Sequence, residues 1–406
     1  MSAYIFDWLN LLVRWFHFTA GIAWIGASFY FVWIDNNLEL ARRAQEQERG
    51  IHGELWAVHG GGFYHSQKYL TGPRDEPLSN HLHWFYWEAY STLLSGIGLL
   101  AIVYWVGAQT YLIDPSVMAL SVPAAITISI GSLAVGWLVY DGLCHIFEHQ
   151  PRVLAACIVA FLLIADYTLF HVFSGRAAYL HVGAIIGTIM VLNVFFVIIP
   201  GQRKVVATLR AGGTPDARYG RLGKMRSVHN TYFTLPVLFI MISNHFPMTY
   251  GSRYGWLVLA VLAFAAVCVR QFYLFTHKKR YVPALLAVAG VLVVGTAVAL
   301  APRSSATAGA AGSPAGATSG VTFADVSPIV AQRCAVCHAA HPTFSGYTVA
   351  PNGVLLDTPE HIVANAARIK VQAVDSHAMP IANLTHITET ERATLGAWIA
   401  AGAHGP

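Results

Sequence analysis

Near the C-terminus, Cys334 and Cys337 are separated by two residues and His338 follows at once. Two thiols at this spacing can form thioethers to a porphyrin, and the adjoining imidazole can take its iron, which is the attachment pattern of a c-type haem. A second axial ligand must then come from downstream. Met379, in His377-Ala378-Met379-Pro380, is the preferred candidate, because thioether ligation raises the potential and suits an electron acceptor; His377 is its rival.

The chain in front of this motif has a different character. The 406 residues are 55% hydrophobic and 11% charged, against about 25% charged in a soluble domain. A membrane protein is expected. A spanning helix needs about 20 mostly apolar residues. Eight such runs occur, near 6–34, 84–107, 117–140, 152–173, 178–199, 229–246, 254–275 and 281–301. The first is too long, and lacks the basic leader, for a cleavable signal peptide.

Charge in the connections orients the runs. Segment 35–83 holds Arg42, Arg43, Arg49, Lys68 and Arg74, and segment 200–228 is richer still; the alternate connections hold little beyond Arg176 and Arg253. Cytoplasmic loops collect Lys and Arg. Both termini are therefore expected on the outer, periplasmic face of a bacterial inner membrane, the side on which haem c is attached. The same bias accounts for the net charge of +5, so no nucleic-acid partner is implied. Segment 53–65, GELWAVHGGGFYH, reads as a tight glycine turn ahead of the second run.

The expected organisation is all-α: an eight-helix transmembrane bundle over 1–301, a flexible Ala/Gly/Ser linker over 302–320, and a small class I cytochrome c domain over 321–406. In the tail a helix from about Phe323 leads into the haem motif. The last helix opens with the capping box Thr388–Glu391 and turns Leu395 and Trp398 inward.

Ionisable groups inside spans are functional candidates by default. Arg14 and His17 lie one turn apart in the first run; Glu88 lies in the second, Asp166 and His171 in the fourth, His181 and Asn193 in the fifth, and His229 and Asn230 open the sixth. His17 and His181 are at similar depth and could hold a second, non-covalent haem b. Arg270 is near enough to the cytoplasmic end to snorkel, and Asp166 has Arg14 as a candidate ion-pair partner. Asp141, His145, Glu148 and His149 have metal-ligand types at helical spacing, but a helix end at the cytoplasmic surface explains them more simply.

The segments GELWAVHGGGFYHSQKYL, LHWFYWEAY, HVGAIIGTIMVLNVFFVIIPGQRK and HNTYFTLPVLFIMISNHFP make the chain similar, over its whole length, to the bacterial membrane-bound urate oxidases that carry a C-terminal cytochrome c. The resemblance implies oxidation of urate to 5-hydroxyisourate, with electrons passed to haem c and no hydrogen peroxide formed. It also implies a downstream acceptor such as a soluble cytochrome c or a terminal oxidase. The shared segments include His83, Glu88, His181, His229 and Asn230. Glu88, His83, His229 and Asn230 are the expected catalytic set, with Glu88→Gln abolishing turnover. Arg14, Asn193 and Trp84 add the donors and rings that a planar purine anion needs. The rival functions are a quinol-oxidising cytochrome that only relays electrons and a redox-linked transporter.

Overall fold

A computed structural model of the chain describes residues 2–115, 117–301, 320–344, 347, 350–375 and 377–406. The linker expected over 302–320 lies outside these, apart from Gly320.

Each of the eight apolar runs falls within or overlaps a helix. We number these α1 (Ser2–Asn37), α2 (Trp87–Leu99), α3 (Val122–Ile146), α4 (Pro151–Phe170), α5 (Gly175–Leu192), α6 (Ala217–Ser243), α7 (Gly255–His277) and α8 (Ala284–Ala299). Local chemistry sets several starts. Ser121 and Ser174 cap α3 and α5 by accepting from the backbone N–H three residues on, and Pro123 and Pro151 stand in first turns, where a missing N–H costs nothing. Wide π turns extend α2 over Leu100–Trp105 and α5 over Asn193–Ile198, the latter running on into a helix to Arg210.

Among the described residues, six helices are long and apolar enough to cross a membrane: Trp8–Asn37, Trp87–Trp105, Val122–Ile146, Pro151–Phe170, Gly175–Arg210 and Gly255–His277. The remaining two differ from the expected eight full spans. α6 begins among Arg218, Arg221, Lys224 and Arg226, which lowers its mean hydropathy, and α8 has only 16 residues. α5 is the central helix: over half of its most apolar stretch is buried, against less than a third in every other span. It packs against α3, α4 and α6.

The all-α expectation is corrected between α1 and α2. There β1 (Glu39–Leu40), β2 (Ile51–His59) and β3 (Gly62–Tyr69) form an antiparallel sheet in the order β1-β2-β3. Gly60 (φ +59°) and Gly61 (φ +81°) make the connecting turn. Positive φ at both central positions suits the twist of a two-residue hairpin, and glycine adopts it at little cost. Lys68 on β3 reaches Asp35 at the end of α1 at 2.5 Å, and Lys224 on α6 meets the same carboxylate at 2.8 Å. The sheet is thereby fastened to the end of α1 and the first turns of α6.

In the tail, α9 (Phe323–Arg333) ends at Cys334, and α10 (Glu389–Ala400) starts from the capping box of Thr388 and Glu391. Phe323 meets Trp398 edge-on at 6.0 Å, over a core of Val326, Val330, Ile369 and Leu395. The helices at both ends of the tail thus form where their capping and apolar spacing place them.

Candidate functional site

The segment Cys334–His338, expected from its spacing to take a haem, is built by the end of one helix and the loop that follows. Cys334 terminates α9, and the first turn of the following loop brings His338 back toward it, with the His338 N–H bonded to the Cys334 carbonyl at 3.0 Å. His338 Nδ1 faces the carbonyl of Val354 at 3.0 Å. Nδ1 therefore donates, and the Nε2 lone pair is left for a metal, the usual arrangement of an iron-binding histidine. Met379 is held through its own carbonyl by Arg392 at 2.8 Å; the same guanidinium also bonds the Ala373 carbonyl. Burial pushes the Cys334 thiol up to about 12, as befits a sulfur inside a core rather than in water.

Cys334, His338 and Met379 line one cavity of about 1490 Å³. Small-molecule pockets run to about 300–1,000 Å³. The volume and donor set fit a haem held by Cys334, Cys337, His338 and Met379, with space remaining. The other wall belongs to the membrane helices: Asn10 and Arg14 of α1, Tyr111 after α2, Arg176 at the start of α5, and Asn244 at the end of α6. Tyr111 and Tyr347 bridge the two parts, their hydroxyls 3.4 Å apart. Arg176 Nε donates to Asn244 Oδ1 at 3.0 Å, and its guanidinium lies 5.4 Å from the centre of the Tyr111 ring. Arg14 donates to Asn10 Oδ1 at 2.9 Å.

A second polar constellation is buried near the opposite ends of these helices. Tyr140 Oη shares a hydrogen bond with His229 Nδ1 at 2.8 Å and accepts from Asn193 Nδ2 at 3.0 Å. Asn193 also donates to Asn230 Oδ1 at 2.9 Å and accepts from Arg226 at 3.2 Å, and Arg226 pairs with Asp141 at 2.6 Å. The network crosses α3, α5 with its π turn, and α6, and its members satisfy one another. Tyr140 lies 18 residues along α3 from Val122, which lines the cavity. At 1.5 Å per residue that is about 27 Å.

Of the four expected catalytic residues, His229 and Asn230 belong to this network, whereas Glu88 and His83 do not. Glu88 is half-buried in the first turn of α2, and His83 is exposed ahead of that helix with its ring against Phe85. Glu88 is 15 residues from the cavity-lining Val103, or about 22 Å along the helix. Glu88 and His83 thus lie at the end of α2 away from the cavity, and His229 and Asn230 lie midway along α6, 15 and 14 residues before the cavity-lining Asn244.

The proposed haem b pair is placed apart from the cavity. His17 Nδ1 faces the Thr92 carbonyl and Ser95 Oγ, both at 3.0 Å. His181 is fully buried and uses both nitrogens, Nδ1 on the Ala177 carbonyl at 2.8 Å and Nε2 on Ser129 Oγ at 2.7 Å. An iron bond at Nε2 would displace the serine. The structure corrects two other expectations. Arg270 does not snorkel: it is 1% exposed, its nitrogens have no hydrogen-bond partner among the described residues, and it sits 4.2 Å over the Phe29 ring. Asp166 does not pair with Arg14; it is buried, with Oδ1 unpartnered among the described residues. At the metal-like cluster, Asp141 is taken by Arg226 and Glu148 by Arg218 and Arg221, and no group of three or more metal-ligating side chains is assembled among the described residues.

Arg176 and Tyr111 are cavity-lining residues that motif and spacing do not single out. One signal is present in the sequence: Arg176 is a cation in a connection expected, from the Lys and Arg bias, to lie on the poorly charged side, where that bias does not explain it.

No curated protein and no solved structure matches the chain. A family model described as urate oxidase N-terminal matches residues 3–301, which take in α1 from its second residue through α8 and none of the tail. The chain therefore belongs to the urate oxidase N-terminal family.

Proposed function

We propose that this protein oxidises urate to 5-hydroxyisourate in the cavity between the outer helix ends and the tail, with a haem c bound by Cys334, Cys337, His338 and Met379. The observation that carries the reading is that shared cavity. Its one wall comes from the segment matching the urate oxidase family, and its other wall holds the haem-binding set. When bound, the haem supplies a one-electron acceptor, so that urate's electrons need not form hydrogen peroxide. In the balanced reaction the urate monoanion and water give neutral 5-hydroxyisourate, one proton and two electrons, and the two electrons leave one at a time to the downstream acceptor. The chain's own part is to hold a planar anion, to keep the membrane helices and tail in register through Tyr111 and Tyr347, and to fix the His338 tautomer through Val354.

The membrane reading follows the apolar helices and the bias of Lys and Arg, with both termini on the periplasmic side and a soluble cytochrome c or a terminal oxidase receiving the electrons. In the membrane helices the Tyr140–His229–Asn193–Asn230 network acts first as a tie between α3, α5 and α6. Its distance from the cavity weakens the case for chemistry there, because electron transfer falls off steeply with distance.

The test is anaerobic addition of urate to the oxidised full-length protein while the visible spectrum is recorded. Growth of the reduced haem c band, in proportion to urate consumed, is the expected result. A haem that stays oxidised with urate but is reduced by a quinol would replace this reading with an electron relay.

A further inference from the structure

The membrane-side wall of the cavity has the makings of an anion site. Ser174, Gly175 and Arg176 all line it, so the positive end of the 18-residue helix α5 faces the space. The backbone there is tightly packed: a Cβ on Gly175 would lie 2.4 Å from the Tyr250 carbonyl oxygen. Arg176 spends its Nε on Asn244 Oδ1, which orients its terminal nitrogens and leaves the Asn244 amide N–H groups to donate. Arg14 adds a second guanidinium, steadied by Asn10. Tyr111, Tyr250 and Phe170 contribute flat apolar surface to the same cavity.

We infer that Arg176, Asn244 and Arg14, with the N-terminus of α5 behind them, bind the purine substrate as its monoanion; this rests on the function proposed above. A guanidinium beside a carboxamide presents a row of planar donors, which matches the carbonyl-bearing edge of urate. The aromatic side chains take its faces. Two anions could use these donors, the purine or a haem propionate. The purine is favoured because all three side chains belong to residues 3–301, the part shared with the urate oxidase family. The tail, which carries the haem ligands, brings its own Arg368 to the cavity, along with Arg333, whose guanidinium is held by Glu391 and the Thr385 carbonyl. This site lies about 22 Å along the helices from Glu88 and His229, each 15 residues from a residue that lines the cavity. It places the substrate in the same cavity as His338 and Met379.

Binding can be separated from turnover by reducing the full-length protein with dithionite under nitrogen, so that urate is bound but not oxidised. Equilibrium dialysis with radiolabelled urate then gives the Kd, and a redox titration gives the haem potential. Arg176→Ala is expected to weaken urate at least about tenfold, the scale of a lost charged hydrogen bond, with the haem spectrum and potential unchanged. Asn244→Asp keeps the side-chain volume and is expected to weaken urate as well, since its carboxylate neutralises Arg176 and repels the anion. An unchanged Kd in both variants, with a shifted haem potential, would overturn the assignment in favour of a propionate contact. Wild-type protein that neither binds urate nor is reduced by it would overturn the function itself.

Discussion

At the scale of the residue, burial and partners separate groups that look alike in sequence. His181 and His338 are both histidines in apolar surroundings. His181 has both ring nitrogens bonded within the helix bundle, whereas His338 donates from Nδ1 and keeps Nε2 for a ligand. Glu88 has the right chemistry for a general base, but it lies in the first turn of α2, where a carboxylate also complements the helix dipole. Glu88→Gln is therefore expected to retain urate-driven reduction of the haem, contrary to the role its type and setting suggest. Stopped-flow measurement of that reduction checks this, and a variant that folds with an intact haem spectrum but is not reduced by urate would return the chemistry to the Glu88 end of α2. Arg270 shows how little sequence says about a single buried charge. Its position near a helix end predicts a path to water, yet the side chain turns inward onto Phe29, where the ring face gives a cation some compensation.

At the scale of the element, close approach decides the packing around α5. A Cβ on Gly183 would lie 2.5 Å from the Ile240 side chain on α6, and one on Gly136 of α3 would lie 2.7 Å from Ile185. Small residues at these crossings let helices meet in a setting that offers little hydrophobic drive between them. Gly183→Ala is expected to cost about 1–3 kcal/mol, seen as a lower midpoint of thermal inactivation in detergent, and Ile240→Val in the same chain should recover part of it. An unchanged midpoint for Gly183→Ala would show that α5 and α6 separate freely. The π turn at Asn193–Ile198 has a related consequence. It begins at Asn193, the residue that joins Tyr140, Asn230 and Arg226 into one network.

At the scale of the whole molecule, two parts of different physical character share one cavity. The membrane helices satisfy their backbone groups internally and carry few carboxylates. The tail is fastened by carboxylates: Asp325 accepts from Thr322, Asp357 from Ala340 and His361, and Glu391 from Thr388 and Arg333. The Thr322 N–H holds Asp325 below the usual carboxylate range, and the Ala340 N–H does the same for Asp357. For Glu391, burial acts in the opposite direction and is outweighed by the Thr388 and Arg333 bonds. Depressed folded-state values mean that this stabilisation is complete above the unfolded value of about 4 and is lost as pH falls through the lower folded values. The tail of the full-length protein should therefore loosen in acid while the helix bundle persists. Haem-region circular dichroism against far-ultraviolet helix signal, followed from neutral to acid pH, checks the order; simultaneous loss of both would contradict it.

Much of this protein was determined by sequence alone, because the controlling interactions are local or compositional. Apolar runs of spanning length, caps at Ser121, Ser174 and Thr388, and the spacing of Cys334, Cys337 and His338 each act within a few residues or along one helix. The eight runs, the helix before the haem motif and the capped last helix could be read directly. The hairpin was legible in principle: Gly60-Gly61 separates two runs rich in aromatic and β-branched residues, but pairing depends on both strands together. What only the tertiary structure decided is which polar groups meet. Arg176 and Asn244 are 68 residues apart, and Tyr111 and Tyr347 are 236 apart. No periodicity couples such positions. Their meeting follows from helix lengths, crossings between small residues and the docking of the tail, which are properties of the packed chain as a whole.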